Sequence, residues 1–174
     1  MFPVNFWINF IIALIPLAVG AVWYGPLFGK PWQRESGVSD AQLADTNALK
    51  LYGLFYLYSF LFVTFLPTLV MHQTGLSGLF GMLPEWSESG SALWHDLNVL
   101  DEKYGMYTRH LHFGHGAIHG IMGALFIVAP VICIHGLFER KSWKFMLIHV
   151  GYWIVIMALM GGAVCEFLEF RLPL

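Results

Sequence analysis

Four long apolar stretches alternate with shorter polar segments along the chain. They cover about residues 4–27, 51–71, 113–138 and 143–168, and no Lys or Arg lies in their central turns. A helix rises about 1.5 Å per residue, so about 20 apolar residues are enough to cross the hydrocarbon core of a membrane. In lipid, backbone polar groups must be bonded within the segment, which favours helices. The pattern predicts an all-α integral membrane protein, a four-helix bundle that forms a single domain over residues 1–174.

The connection between the second and third stretches, about residues 73–111, is too long to lack structure of its own. From Ser91 onward, apolar side chains are spaced for one face of a helix: Leu93, Trp94, Leu97 and Leu100. We therefore expect a structured outer loop with a short helix, which forms a lid over one end of the bundle.

The first connection contains a signal for the start of a helix. Ser39 and Gln42 have the spacing of a capping box, in which each side chain bonds to the backbone of the other residue. The spacing predicts a helix that begins near Asp40 and runs into the second span.

Composition agrees with a membrane protein. Of the 174 residues, 57% are hydrophobic and 11% are charged, whereas a soluble domain carries about 25% charged residues. Lys and Arg number 9 and Asp and Glu number 11, which gives a net charge of −2. This composition excludes a disordered chain and a basic nucleic-acid-binding protein. The expected partner is the lipid bilayer, and no nucleic acid is expected.

The distribution of basic residues predicts the orientation. The first and last connections together carry six Lys or Arg, and the opposite side carries three. Since excess Lys and Arg in short loops marks the cytoplasmic side, both termini and the lid are expected outside. In the cytoplasmic (inner) membrane of a bacterium, that side is the periplasm.

Small residues and cysteines lie within the spans. Gly116, Gly120 and Gly161 permit close approach of helices, and we expect them to serve packing inside the bundle. The alternative is that they form contacts in a homo-oligomer or a larger membrane complex. If the last two spans form a tight hairpin, Cys133 and Cys165 differ in depth by about 21 Å. That separation is too large for a disulfide, so both are expected to be free thiols.

Histidine is the residue type that points to chemistry. Five of the eight histidines are close together: His72 ends the second span, and His110, His112, His115 and His119 open the third. At about 100° per residue, His112, His115 and His119 fall on one face of a helix, whereas His110 falls on the opposite side. Imidazoles at such spacing can chelate Zn, Cu or Fe.

Two carboxylates lie at the same expected depth, because Glu166 and Glu169 end the fourth span on the outer side. The pattern predicts a transition-metal site, which His95 and Asp96 on the outer loop could close; its ligands are His72, His112, His115, His119, Glu166 and Glu169. The alternative is that the histidines bond to water and backbone and the glutamates lie in solvent.

A second pair of histidines lies at the inner end. His135 and His149 are about seven residues on either side of Ser142, so a tight hairpin places them at similar depth. The pair could ligate a haem or relay protons. The alternative is a single hydrogen bond between neighbouring helices.

Two motifs carry a resemblance to a known family: Trp23-Tyr24-x-Pro26-x-Phe28-Gly29-Lys30-x-Trp32, and Leu137-Phe138-Glu139-Arg140-Lys141-Ser142 followed by Gly151-Tyr152 and Met160-Gly161. Over about residues 4–60 and 115–168, the chain resembles a small bacterial membrane family, domain of unknown function seventeen-sixty-one. The resemblance implies a compact four-helix membrane protein and brings no activity, substrate or cofactor. The chain departs from the family pattern in residues 73–112 and in its histidines, His149 among them.

Together these patterns predict a small non-enzymatic membrane protein. It would bind a transition metal at its outer end and act in metal handling or as an accessory subunit. One alternative is a metal-dependent or haem-dependent membrane oxidoreductase that uses the same histidine face. Another is a purely structural subunit of a membrane complex.

Overall fold

The computed structural model describes residues 2–3 and 5–171, and it is helical throughout most of this length. Four helical segments in the described part are long and apolar enough to cross a membrane. We name them span 1 to span 4 in chain order: Ile8–Leu27, Ala48–Val70, Phe113–Phe138 and Trp143–Phe167. Each corresponds to one predicted stretch, so the predicted all-α architecture with four apolar spans is confirmed. The predicted start of the first stretch, residue 4, lies outside the described residues.

Three of the spans are divided into shorter helices, and the connections contain helices of their own. Span 1 contains α1 (Ile8–Ile12), α2 (Ile15–Val22) and a π-helical turn (Trp23–Leu27), and it is followed by α3 (Gly29–Ser36) and α4 (Asp40–Ala44). Span 2 contains α5 (Ala48–Phe65) and α6 (Pro67–Val70). The outer connection contains α7 (Thr74–Phe80), a 3-10 turn (Pro84–Ser87) and α8 (Ala92–Tyr104). Span 3 contains α9 (Phe113–Gly123), a π-helical turn (Ala124–Val128) and α10 (Ala129–Phe138), and span 4 is α11 (Trp143–Phe167).

The two ends of the chain meet in a short antiparallel pair. Strand β1 (Phe2–Pro3) pairs with β2 (Phe170–Arg171), with Phe2 opposite Arg171 and Pro3 opposite Phe170. Beside this pair, the Asn5 side chain donates to the carbonyl of Phe167 at 2.7 Å and accepts from the N–H of Glu169 at 2.9 Å. These contacts fix the start of span 1 against the end of span 4.

Proline explains where the spans are divided. Pro16 lies in the first turn of α2, Pro67 begins α6, and Pro130 lies in the first turn of α10. Proline has no N–H and its ring clashes with the preceding turn, so it is favoured where a helix begins. Each of these spans therefore restarts at its proline.

The first connection corrects one expectation. The capping box at Ser39 is present, with the Gln42 N–H donating to the Ser39 hydroxyl at 3.2 Å. However, α4 ends at Ala44 and does not run into span 2. Asn47 has extended backbone and accepts from the Lys50 N–H at 2.9 Å, so it caps a new helix. The cap at Asn47 stabilises a separate helix start at Ala48, so the helix that begins at Asp40 is not continuous with span 2.

The first and last connections lie at the same end of the bundle. The Ser142 hydroxyl donates to the Glu35 carboxylate at 2.6 Å, and this bond lowers the pKa of Glu35. The Lys141 ammonium donates to the Ser36 carbonyl at 3.3 Å. Together these bonds join α3 to the turn between spans 3 and 4.

Span 4 lies at the centre of the bundle. Half of its apolar segment is buried, compared with 11–28% of the other spans. Its fully buried side chains Ile156, Met160 and Val164 pack in one core with Val63 and Leu66 of α5–α6. The outward faces of the other spans stay exposed, as expected for surfaces that contact lipid.

Glycine permits direct backbone contact between α9 and α11. A Cβ atom added at Gly116 would overlap the carbonyl of Gly161 and lie 2.7 Å from the Cβ atom of Cys165. One added at Gly120 would overlap the carbonyl of Met157. The prediction that these small residues serve packing inside the bundle is confirmed.

The two cysteines are free, as predicted. Cys165 is buried on α11, and its thiol donates to the carbonyl of Val70 at 3.2 Å. This bond connects span 4 to the end of α6.

The connection between spans 2 and 3, which we call the lid, has a small core of its own. Ser91 caps α8, and the Trp94 indole N–H donates to the carbonyl of Trp86 at 3.1 Å. Trp94 and Leu97 are buried, whereas Leu100 is 44% exposed, so the apolar face extends over only the first two turns. The prediction of a structured connection with a helix after Ser91 is confirmed.

Substitution of Gly120 tests the close helix contact. Gly120→Ala is expected to destabilise the bundle by about 1–3 kcal/mol, because the added methyl group meets the backbone of span 4. Gly53→Ala is the matched control, since Gly53 also lies inside a span and has nothing within 4 Å of an added Cβ atom. Unfolding of both variants by heat or SDS in detergent measures the difference. If Gly120→Ala and Gly53→Ala were equally stable, the close contact of Gly120 with span 4 would be contradicted.

Candidate metal centre

Five histidines come together where two spans meet the lid. His72 follows the end of α6, and His110 and His112 lie in the segment between α8 and α9. His115 and His119 lie one turn apart near the start of α9. Segments far apart in sequence therefore bring imidazoles to one end of the bundle.

Three of these rings form what we call the inner triad: His72, His115 and His119. Each offers a ring nitrogen, and the three nitrogens lie within 4.8 Å of one another. The centroid of the His119 ring is 4.4 Å from that of His115 and 4.8 Å from that of His72. His115 and His119 are half-buried, and His72 is exposed. The two histidines of α9 therefore lie beside a third, solvent-exposed imidazole.

A second group, the outer triad, consists of His110, His112 and His115. Its three ring nitrogens also lie within 4.8 Å of one another. The rings of His110 and His115 are stacked with centroids 4.7 Å apart, and those of His112 and His115 are 5.9 Å apart. His110 and His112 are exposed. The two triads share His115.

His115 has an unused nitrogen in a buried position. Its Nε2 atom is buried and has no hydrogen-bond partner among the described residues. A buried polar atom without a partner costs free energy, so such atoms are rare in folded proteins. A metal ion is a suitable partner for an imidazole nitrogen, and two other imidazoles lie within reach.

The positions of the triads depend on neighbouring contacts. The buried Gln73 amide donates to the carbonyls of Met106 and Arg109 at 3.0 and 2.8 Å, which holds the segment that carries His110. His110 itself has a left-handed backbone, with φ of 67°. This conformation turns the chain immediately before α9 begins.

His112 has a structural role at the start of α9. Its backbone is extended, and its Nδ1 atom accepts the N–H of His115 at 3.2 Å. His112 therefore caps the helix and is not part of it. The three histidines expected on one helix face, His112, His115 and His119, are thus divided between two triads.

Sequence reasoning missed His110. A helical projection places it opposite His112, but neither residue lies in the helix, so the projection does not apply to them. No local pattern in the sequence indicates the left-handed turn, because a histidine at positive φ is uncommon.

Neither predicted carboxylate joins a triad in the described part of the chain. The Glu166 carboxylate accepts the N–H of Phe113 at 2.8 Å, a donor in the first turn of α9 that has no partner within the helix. Its negative charge also interacts favourably with the positive end of the helix dipole. Glu169 is joined through its backbone to Asn5. His95 and Asp96 lie on exposed positions of α8, also outside the triads. A ligand role for these four residues stays a prediction.

His135 and His149, the second predicted pair, occupy different surroundings. His149 is half-buried, its Nδ1 atom lies 2.7 Å from the Tyr24 hydroxyl, and its Nε2 atom is buried without a partner. His135 is exposed in the last turn of α10. No ring contact or hydrogen bond joins His135 to His149 in the part that the structure describes. A shared cofactor for them stays a prediction, and the Tyr24 partner was not anticipated.

The sequence motif around Trp23 has a packing role. The Trp23 indole N–H donates to the carbonyl of Ile148 at 3.0 Å, and a Cβ atom added at Gly151 would lie 3.0 Å from the Trp23 ring.

The family model described as Protein of unknown function (DUF1761) matches residues 7–165. The chain belongs to this family. No curated protein and no solved structure matches it.

In this DUF1761 protein, the two family motifs join span 1 to span 4. Tyr24 contacts His149, and Tyr152 donates to the carbonyl of Pro16 at 2.8 Å. The Tyr24–His149 contact lies in the half of the bundle away from the triads, and the Tyr152–Pro16 bond lies near the middle of the spans. The motifs therefore account for the fold, while the histidine cluster requires its own explanation.

Loss of the Gln73 amide is expected to loosen the segment that carries His110. Gln73→Leu leaves the carbonyls of Met106 and Arg109 without this partner, at a cost of about 0.5–1.5 kcal/mol for each hydrogen bond. Trypsin should then cut after the exposed Arg109 about tenfold faster or more, since 1.4 kcal/mol corresponds to a factor of ten. Gel analysis and mass spectrometry of the fragments measure the rate.

The same digest contains its own reference. Cleavage after Arg34, at the other end of the bundle, should be unchanged. Thr74→Val is the matched control, because the Thr74 hydroxyl donates only to the Met71 carbonyl one turn away. Unchanged cleavage after Arg109 in Gln73→Leu would show that Gln73 does not hold the segment.

Proposed function

We propose that this membrane protein binds a transition-metal ion at the inner triad and acts in metal handling. One observation carries the proposal: the buried Nε2 atom of His115 has no hydrogen-bond partner among the described residues, and a ring nitrogen of His115 lies within 4.8 Å of ring nitrogens of His72 and His119. A bound ion would satisfy all three imidazoles. The structure holds the two helical ligands one turn apart, which is the spacing that chelation by a helix requires.

Imidazole ligands favour Zn, Cu or Fe over Ca and Mg, which prefer oxygen. In a tetrahedral zinc site, with Zn–N bonds of about 2.1 Å, the ligand nitrogens lie about 3.4 Å apart. The present spacing, within 4.8 Å, needs a small closure. His72 can supply it, because it is exposed and lies on the chain after α6 has ended. The fourth position is open to water or to another ligand.

Exposure supports metal handling over catalysis. His72, His110 and His112 are exposed, so an ion at the cluster has access to the aqueous phase. A catalytic site is usually a concave pocket that encloses most of its ligand. An exposed cluster of neutral ligands is better suited to an ion that enters and leaves.

The orientation that we propose places the triads outside. Six of the Lys and Arg residues lie in the first and last connections or in the first turn of the span that follows, and the bonds of Lys141 and Ser142 to α3 hold these connections at one end. An excess of basic residues marks the cytoplasmic side. The histidines lie at the opposite end, so in a bacterial inner membrane they face the periplasm.

Elemental analysis of purified protein tests the proposal. Protein in mild detergent, prepared without a His tag, is incubated with Zn²⁺ or Cu²⁺, freed of excess ion and analysed by mass spectrometry. The expected result is about one ion per chain. His115→Ala combined with His119→Ala should lose it, because two of three ligands are removed.

His95→Ala is the matched control, since His95 is exposed on the lid and belongs to neither triad. It should bind as the unsubstituted protein does. Absence of bound ion in the unsubstituted protein would overturn the proposal and favour a structural subunit. Equal binding in the double variant would place the ion elsewhere.

A further inference from the structure

We propose that the histidine cluster provides two successive positions for a single ion. The outer triad receives the ion, the inner triad retains it, and His115 is a ligand in both positions. This inference rests on the proposed function, binding at the inner triad. It adds a second site, formed with His110 and His112, and a route between the two.

The geometry of His115 is the first argument. Its ring lies between the two groups, with centroids 4.7 Å from that of His110 and 4.4 Å from that of His119. Its ring nitrogens lie within 4.8 Å of those of both pairs, but the nitrogens do not form one larger group. A neutral imidazole has a single unprotonated ring nitrogen, so His115 serves one ion at a time. An ion can therefore pass between the triads by exchanging two ligands while His115 stays bound.

The order of exposure gives the route a direction. His110 and His112 are exposed and precede the first turn of α9. His119 is half-buried and lies four residues beyond His115, about 6 Å farther along the helix. Two of the three ligands of the outer triad are exposed, compared with one, His72, in the inner triad, so an ion from the aqueous phase reaches the outer triad more readily.

Capping by His112 makes the outer position the weaker one. The Nδ1 atom of His112 accepts the N–H of His115, so in a neutral ring the proton is on Nε2. A metal bond at either nitrogen then requires loss of the cap bond or of that proton. His119 and His115 need no such exchange, because the buried Nε2 of His115 has no partner. The ion gains stability by moving inward, and the cap forms again.

Metal loading tests this route with Zn²⁺ as the probe. Metal-free protein in detergent is mixed with Zn²⁺, and uptake is followed by the decrease of free ion reported by a chromophoric chelator. The key variant combines His110→Ala with His112→Asn. Asn is a strong helix cap, so α9 keeps its start while the outer imidazoles are removed.

We expect the key variant to bind one Zn²⁺ per chain and to load about tenfold more slowly, the size of change that loss of a supporting group causes at metal sites. His119→Ala should still bind one ion, at the outer triad, and release it faster to the chelator. His115→Ala should bind none, because both triads lose a ligand. His95→Ala should load as the unsubstituted protein does. Size-exclusion chromatography of every variant checks that it is folded.

Other results would overturn the inference while leaving the proposed function intact. Two Zn²⁺ ions per unsubstituted chain would show two simultaneous sites. Unchanged loading in the key variant would remove the entry role of the outer triad. Normal binding by His115→Ala would instead contradict the inference and the proposed function together, because His115 is also a ligand of the inner triad. No Zn²⁺ uptake by the unsubstituted protein would instead overturn the proposed function, and the inference with it.

Discussion

Direct backbone contact between spans 3 and 4 is the constraint on which the rest of the structure depends. Lipid tails are as apolar as the side chains, so helices in a membrane gain stability mainly from close packing and not from removal of water. Gly116 and Gly120 leave the surface of α9 flat, and the backbone of α11 lies against it. This contact fixes both the distance between the two spans and the rotation of α9 about its axis.

The rotation of α9 determines where the histidines point. His115 and His119 immediately precede the two contact glycines, so they lie about 100° around the helix from the face that meets span 4. The end of α6 is held beside that edge, because the Cys165 thiol donates to the Val70 carbonyl. His72 follows two residues later. Packing among three spans thus assembles the inner triad, although no hydrogen bond joins its members.

The two ends of the bundle differ in character. At one end, family motif residues and the bonds of Glu35 and Lys141 connect span 1, α3 and the turn before span 4. At the other end, the Gln73 side chain holds the backbone of the lid, Asn5 and Glu166 join spans 1 and 3 to the end of span 4, and several imidazoles are exposed. Both ends are therefore fixed by hydrogen bonds, and the histidine cluster lies at one of them.

The sequence by itself determined the features that depend on neighbouring residues. Length and apolar composition define the four spans, and the capping box at Ser39 and the apolar spacing after Ser91 indicate helices, because these signals act within a few turns. Depth along a helix was also enough to show that Cys133 and Cys165 cannot pair. The histidine cluster was found in outline from the i, i+4 spacing of His115 and His119.

Only the tertiary structure decided how the site is assembled. A helical projection holds only inside a helix, so it could not place His110, whose positive φ turns the chain, or His112, whose ring caps α9. It could not show that Glu166 would bind the start of α9 or that Tyr24 would meet His149. These contacts join residues between 53 and 125 positions apart in the chain. Their partners are set by the packing of spans, which local spacing does not encode.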